Sequence, residues 1–249
     1  MTEKLVYPDA QSLARATADH FVTQARRAIQ QRGRFSVALA GGSTPKAAYT
    51  LLTHPEYSSQ LAWQQIHIFW GDERCVPPDH LDSNYRMAWE ALLRHVPLPP
   101  QNIHRMPGEL PPHQAAEAYQ VELSGFFAFP ASARQHQTFD LVLLGLGPDG
   151  HTASLFPGSP ALEQTDRWVT AVEHRHPPAP LVDRLTLTLP AINAAAQIVF
   201  LVSGAGKAGI LAQVLAPPQG EPRLPAQRVQ PASGELLWLL DEAACQDLP

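Results

Sequence analysis

Charge is scarce in this chain. Asp, Glu, Lys and Arg together make up 16% of its 249 residues and leave a net charge of −5. Such a balance offers no basic stripe to neutralise a phosphate backbone, which argues against nucleic acid as a partner. A local basic pocket for one small anion remains compatible with it. Cysteine is nearly absent: Cys75 and Cys245 stand far apart, in no metal-ligand spacing, and read as free thiols of a reducing compartment. Met1 to Ala10 holds no apolar signal core, and no segment is apolar over a bilayer-spanning length. These absences predict a soluble, cytoplasmic protein without membrane association. Two catalytic signatures are also missing. No glycine-rich turn ends in Gly-Lys-Ser/Thr, and no Gly-x-Ser-x-Gly elbow supports a serine nucleophile.

What is present is a core and a regular alternation. Hydrophobic residues reach 45%, enough for a sizeable interior at this length. Apolar residues at helical spacing predict a helix over Ala10–Gln31, stopped by Gly33. Strands are predicted at Phe35–Ala40, Ile66–Trp70, Leu141–Leu144, Trp168–Val172, Arg184–Leu187, Ile198–Val202 and Leu236–Leu240, with a brief one at Ile103–Met106. Helices are predicted after Thr44 (as N-cap, with Pro45 at the first position), over Ser83–Leu93, Pro112–Phe127 and Pro190–Ala195, and from the Gly204 turn through Val214. Strands alternating with helices predict an α/β fold, a Rossmann-like, mostly parallel sheet with helices on both faces. The prolines, 25 in all, gather in the connectors Pro97–Pro112, Pro177–Pro180 and Pro217–Pro231. With no repeat and no long linker, residues 1–249 are expected to form one domain.

Three strand-to-helix turns carry the chemistry. Gly41-Gly42-Ser43-Thr44-Pro45-Lys46 aims backbone N–H groups and two hydroxyls at an incoming anion, favoured by the helix dipole; its plainer reading is an ordinary glycine turn. Gly145-x-Gly147-x-x-Gly150 imitates a dinucleotide fingerprint. That fingerprint belongs to an opening βαβ unit, whereas about half the chain precedes this one, and Asp149 would repel a diphosphate. His151 is the better candidate: its ordinary pKa of ~6.5 suits proton transfer near neutrality, and Asp149 is near enough to orient it. Lys207, after Gly204-Ala205-Gly206, sits in a helical first turn, where the dipole disfavours a cation, and so points to an anion. Asp72-Glu73-Arg74 with Asp82-Ser83-Asn84-Tyr85 supplies a second polar wall, Arg74 offering a bidentate fork and Ser83 a helix cap. Arg184 opens an otherwise apolar strand. His174 and His176, in a proline-rich loop, form no recognisable metal set.

Taken together, Ala40 to Pro45, Trp70 to Pro77 with Asp82 to Tyr85, Gly145 to Pro157, Arg184 to Thr188 and Gly204 to Ala208 resemble the 6-phosphogluconolactonases over nearly the whole chain. The resemblance implies the fold shared with glucosamine-6-phosphate deaminases and sugar-phosphate isomerases. It also implies hydrolysis of 6-phospho-D-glucono-1,5-lactone in the oxidative pentose phosphate pathway, without metal or nucleotide. The site expected is catalytic His151, Asp149 and Arg74, with Gly41, Gly42, Ser43, Thr44, Asp72, Arg184 and Lys207 binding substrate and phosphate. The expected partner is the small sugar-phosphate lactone alone, acting on a monomer or small homo-oligomer. The sister deaminases carry a functional glutamate where this chain has Phe156, and a tyrosine where it has Arg74. Losing that carboxylate and gaining a cation favours lactone hydrolysis over deamination. A non-catalytic sugar-phosphate sensor is the remaining alternative.

Overall fold

A computed structural model describes residues 2–127, 138–215 and 224–248. Of the connector Pro217–Pro231, only the part from residue 224 onward lies among them. The strands are β1 (Thr2–Tyr7), β2 (Phe35–Leu39), β3 (Ile66–Trp70), β4 (Asp72–Arg74), β5 (Leu141–Leu144), β6 (Val169–Val172), β7 (Arg184–Leu187), β8 (Gln197–Val202) and β9 (Glu235–Asp241). The α-helices are α1 (Ala10–Arg32), α2 (Ser43–Leu51), α3 (Pro55–Ser58), α4 (Asn84–Ala91), α5 (Pro112–Phe127), α6 (Leu189–Asn193) and α7 (Ala208–Leu215).

Six strands form one sheet in the order β1-β9-β8-β5-β2-β3, every neighbouring pair parallel. Strands β2, β5 and β8 are buried along their whole length, which is why they read as mainly apolar runs rather than alternations. Helices cover both faces. Successive strand residues point opposite ways, and in β3 Trp70 packs against Tyr85 of α4 while its neighbour Phe69 packs against Phe126 and Phe127 of α5. Phe21 of α1 meets Phe35 of β2 edge-to-face at 5.3 Å.

Helix α1 ends where the glycine predicts: Gly33 takes φ 73° and its N–H closes on the Ile29 carbonyl. Ser83 caps α4, its hydroxyl accepting from the Arg86 N–H. Thr44 does not cap α2. The helix begins two residues earlier than expected, at Ser43, and Gly42 is the cap, at φ 103°, a conformation that suits a residue without a Cβ.

Other departures concern the sheets. Strand β1 was not expected; it lies exposed at the sheet edge on β9 and so carries no burial pattern to betray it. Strands β6 and β7 do not join the parallel sheet. They pair antiparallel with each other, and β7 with the short β4, as a separate three-stranded sheet. Ile103 contributes an isolated bridge to Ile68 rather than a strand.

The connection leaving β2 runs to β3 on one side, and that leaving β5 runs to β8 on the other. Their carboxyl ends therefore flank a topological switch point, the place where open α/β sheets bind ligands.

Candidate active site

A cavity of about 250 Å³ opens at that switch point. Its walls come from the turn after β2 (Gly41, Gly42), from the segment around β4 (Gly71, Asp72, Arg74), from the turn after β5 (Gly145 to Pro148, and His151) and from Arg184, Lys207 and the Pro178–Ala179 edge.

The turn after β5 is tight. Gly147 N–H donates to the His151 carbonyl and Gly150 N–H to the Gly147 carbonyl, with Gly150 at φ 80°. Asp149 and His151 are thereby brought to the same side, and His151 Nδ1 lies 2.5 Å from Asp149 Oδ1, which also accepts the His151 backbone N–H. Asp149 stands behind the ring and not on the cavity wall. Burial acts to raise its carboxyl, but hydrogen bonds and charge from His151 outweigh that and hold it below the ordinary carboxylate range. One edge of the imidazole almost touches Gly147, where a Cβ would fall 2.1 Å from Nδ1. Phe156 packs on the ring at 4.6 Å between centroids.

Strand β4 positions the opposite wall. Glu73 is buried and accepts from the N–H groups of Arg74, Asn84 and Tyr85 and from Ser83 Oγ. Burial pushes its carboxyl up, against the three backbone donors that pull it down. This carboxylate ties the start of α4 to β4, so Asn84 reaches the cavity beside Asp72. Asn84 Nδ2 donates to the Asp72 carbonyl at 2.9 Å, and its side chain occupies the space a Cβ on Gly41 would need. Ser154 Oγ donates to Asp72 Oδ2 at 2.7 Å. Arg74 donates from Nη1 to the Asp82 carbonyl, while its buried Nε finds no acceptor among the described residues.

Arg74 faces Arg184 across the β4–β7 register. Arg184 is buried and donates to the carbonyls of Pro180 and Val182. Burial, then the charge of Arg74, lowers its guanidinium pKa. Among the described residues neither guanidinium is ion-paired with a carboxylate. On the other flank, Asp241 at the end of β9 accepts from Ser203 Oγ, Gly204 N–H and Ala244 N–H, which fixes the turn presenting Lys207. Burial lowers the Lys207 ammonium, against the pull of Asp149.

The structure thus gathers Gly41, Gly42, Asp72, Arg74, His151, Arg184 and Lys207 around one cavity, with Asp149 behind His151. Ser43 and Thr44 are the exceptions. Ser43 is exposed and Thr44 half-buried in the first turn of α2, and neither lines the cavity, because Gly42 rather than Thr44 takes the cap position. Among the described residues no group of three or more His, Cys, Asp or Glu is arranged to hold a metal ion.

The sequence profile described as glucosamine-6-phosphate isomerases/6-phosphogluconolactonase matches residues 8–238. The chain belongs to this family. It is 47% identical over 227 residues to a 6-phosphogluconolactonase of Synechocystis sp., covering 91% of this chain and 90% of that protein. It is 44% identical to one of Nostoc sp., covering 98% and 97%. The solved structures it resembles include a 6-phosphogluconolactonase from Trypanosoma brucei, with a TM-score of 0.87 at 30% identity, covering 100% of this chain and 99% of that one.

For this member of the glucosamine-6-phosphate isomerase/6-phosphogluconolactonase family, sequence reasoning overlooked several site residues. Asn84 was noted only as one polar residue among several, and its fit against Gly41 needed the fold. Ser154 lies within the Asp-Gly-His stretch, but its bond to Asp72 spans 82 positions. Phe156 was read as a missing carboxylate; the structure makes it a packing partner of His151.

Proposed function

We propose that this protein hydrolyses 6-phospho-D-glucono-1,5-lactone to 6-phospho-D-gluconate, a step of the oxidative pentose phosphate pathway, with His151 as general base. One arrangement carries the reading: an imidazole whose Nδ1 is committed to Asp149 faces a cavity that also holds Arg74, Arg184 and Lys207. A sugar-phosphate lactone needs both a base and separate positive groups for its phosphate and its developing oxyanion.

Because a carboxylate only accepts, the proton on Nδ1 points to Asp149 and the lone pair sits on Nε2. Nε2 takes a proton from water as the water oxygen attacks C1. The carbonyl π pair moves onto oxygen, giving a tetrahedral oxyanion. Arg74, on the cavity wall, stabilises that charge. Collapse breaks the bond between C1 and the ring oxygen, and the imidazolium returns its proton to that oxygen, leaving a carboxylic acid and a free hydroxyl. Asp149 stays anionic throughout and stabilises the imidazolium. Lys207, Arg184 and the Gly41–Gly42 turn receive the phosphate, whose binding energy orients the lactone. Asp72, an acceptor on the wall, takes a sugar hydroxyl.

The same reading makes residues 1–249 one domain, a cytoplasmic enzyme working as a monomer or small homo-oligomer on a small-molecule substrate, without nucleic acid or a resident cofactor. Among the described residues no helix is long and apolar enough to cross a membrane.

The test measures lactone disappearance and ammonia release side by side, on the lactone and on glucosamine 6-phosphate, after subtracting spontaneous lactone hydrolysis. Lactone turnover that falls by about 10²–10⁴ in His151→Ala is expected. Ammonia release would assign the deaminase reaction instead, and tight binding without turnover would make the protein a sensor.

A further inference from the structure

The β6–β7 connection reaches over the cavity, and one buried histidine fastens it at two points. His174 is 5% exposed. Its Nε2 lies 2.6 Å from the Pro178 carbonyl oxygen, an acceptor only, so the ring proton resides on Nε2 and is donated there. Its ring stacks on Phe156 at 4.2 Å between centroids, with planes inclined by 14°. The phenyl ring of Phe156 packs in turn against His151. The loop closes on itself as well: Asp183 accepts from the His174 N–H and from the Arg175 guanidinium, and Arg184 donates back to Pro180 and Val182.

Most of this would be expected of any well-made loop. What sets His174 apart is that its two commitments end at two different parts of the site. Through Phe156 it backs the face of the His151 ring. Through Pro178 it holds the Pro178–Ala179 edge that lines the cavity. Asp149 fixes His151 at one nitrogen, which leaves the ring free to rotate about that hydrogen bond unless its faces are held. Gly147 closes one approach and Phe156 another. Phe156 is half-buried against the hydrophobic core, and His174 adds the stacked ring on its other side.

We propose that His174 is a positioning residue for the hydrolysis, holding Phe156 against the general base and the Pro178 edge against the substrate. The proposal rests on the reading of His151 as that base. It involves no proton transfer by His174, whose ring is turned to Phe156 and to a carbonyl.

The two commitments can be cut separately. His174→Phe keeps a ring for Phe156 and loses the donor to Pro178. His174→Gln keeps a donor and loses the ring. Steady-state lactone hydrolysis is measured for both, with His151→Ala alongside and far-ultraviolet circular dichroism melts to confirm folding. His174→Gln is expected to lower kcat about tenfold with KM nearly unchanged, since a sub-ångström displacement of a reacting group costs less than the hundredfold of a full ångström. His174→Phe is expected to raise KM several-fold and leave kcat within about twofold of the parent. A second readout needs no turnover: the ring-proton NMR signals of His151, assigned by their loss in His151→Ala, shift in His174→Gln and stay in place in His174→Phe, because they report the Phe156 ring current. If His151→Ala is inactive while both His174 variants keep parental kcat, KM and His151 signals, the inference is wrong and the base assignment stands. If His151→Ala retains turnover, the base assignment fails, and the NMR shift then decides the His174 contact independently. Should either variant not fold, His174→Tyr, which keeps the ring, and His174→Asn, which keeps a shorter donor, carry the same opposed expectations.

Discussion

Replacing Gly147 by alanine should disable the site with a single methyl group. The backbone there tolerates alanine, since Gly147 is not among the positive-φ glycines. Space is the obstacle. The new Cβ would lie 2.1 Å from His151 Nδ1, 2.2 Å from Cε1 and 2.7 Å from Cγ, whereas ordinary contact begins at 3.4 Å. The ring must therefore withdraw by roughly 1.3 Å, the difference between ordinary contact at 3.4 Å and the shortest approach of 2.1 Å. It can do so only by stretching the 2.5 Å bond to Asp149 or pressing into Phe156. A misplacement of about 1 Å costs on the order of 10²-fold in rate, or about 2.7 kcal/mol of transition-state stabilisation. Overpacking at one site costs folding about 1–3 kcal/mol, a shift of roughly 2–12 °C in Tm. The assay is kcat for lactone hydrolysis, background-corrected, beside a thermal melt. In a His151→Ala background the same substitution should cost nothing further, because the group it displaces is already gone. A Gly147→Ala enzyme with kcat within threefold of the parent would refute the claim that this turn sets the ring.

Asp149→Asn should lower kcat by about 10² or more at near-parental KM and stability, because an amide donor facing Nδ1 shifts the imidazole proton to Nε2, where the base needs its lone pair; unchanged kcat would remove Asp149 from the mechanism. Lys207→Ala should raise KM about 10–100-fold with kcat little changed, the loss of one charge-assisted phosphate contact; parental affinity for the product would contradict a phosphate role. At the far edge of the sheet, burial first and then the charges of His104 and Arg34 pull the His67 imidazole down to about 4. Its unfolded value is near 6.5, so the unfolded chain takes up the proton first and stability is lost as pH falls from about 6.5 through 4. Urea midpoints measured at pH 7 and pH 5 should therefore converge in His67→Gln relative to the parent, and an unaltered difference between the two midpoints would count against it. Gly125→Ala, in α5 with nothing within 4 Å of the new Cβ, should stabilise by roughly 0.5–1 kcal/mol; a lower Tm would contradict that.

Much of the site was legible because its chemistry sits at strand ends. A buried parallel strand such as β5 declares itself as an apolar run, and the glycines that follow mark a turn where the next polar side chains are presented. Asp149, His151 and Lys207 were found in that way. What escaped reading was set by contacts distant in sequence. Strand β4 is too short to show a period, and its pairing with β7 depends on a segment far along the chain. The antiparallel placement of β6 and β7 could not be told from parallel pairing, since alternation fixes a strand but not its neighbours. Thr44 looks like a cap on composition; Gly42 takes the position at positive φ, which a residue without a Cβ adopts readily, while the neighbouring Gly41 is the one pressed against Asn84. His174 carried no motif, and only the packing of Phe156 gives it meaning.

The facing guanidiniums of Arg74 and Arg184 have a consequence for the life of the molecule. They are carried by strands of three and four residues in the smaller sheet, where like charges opposite one another weaken pairing and Asp72 offsets only part of the repulsion. On the proposed reading, in which Arg184 receives the phosphate, a bound substrate would offset part of that repulsion and help hold β4 to β7. Occupancy at a hundred times the dissociation constant adds about 2.7 kcal/mol to folding. On that reading the supply of substrate and product would set how firmly the smaller sheet is held.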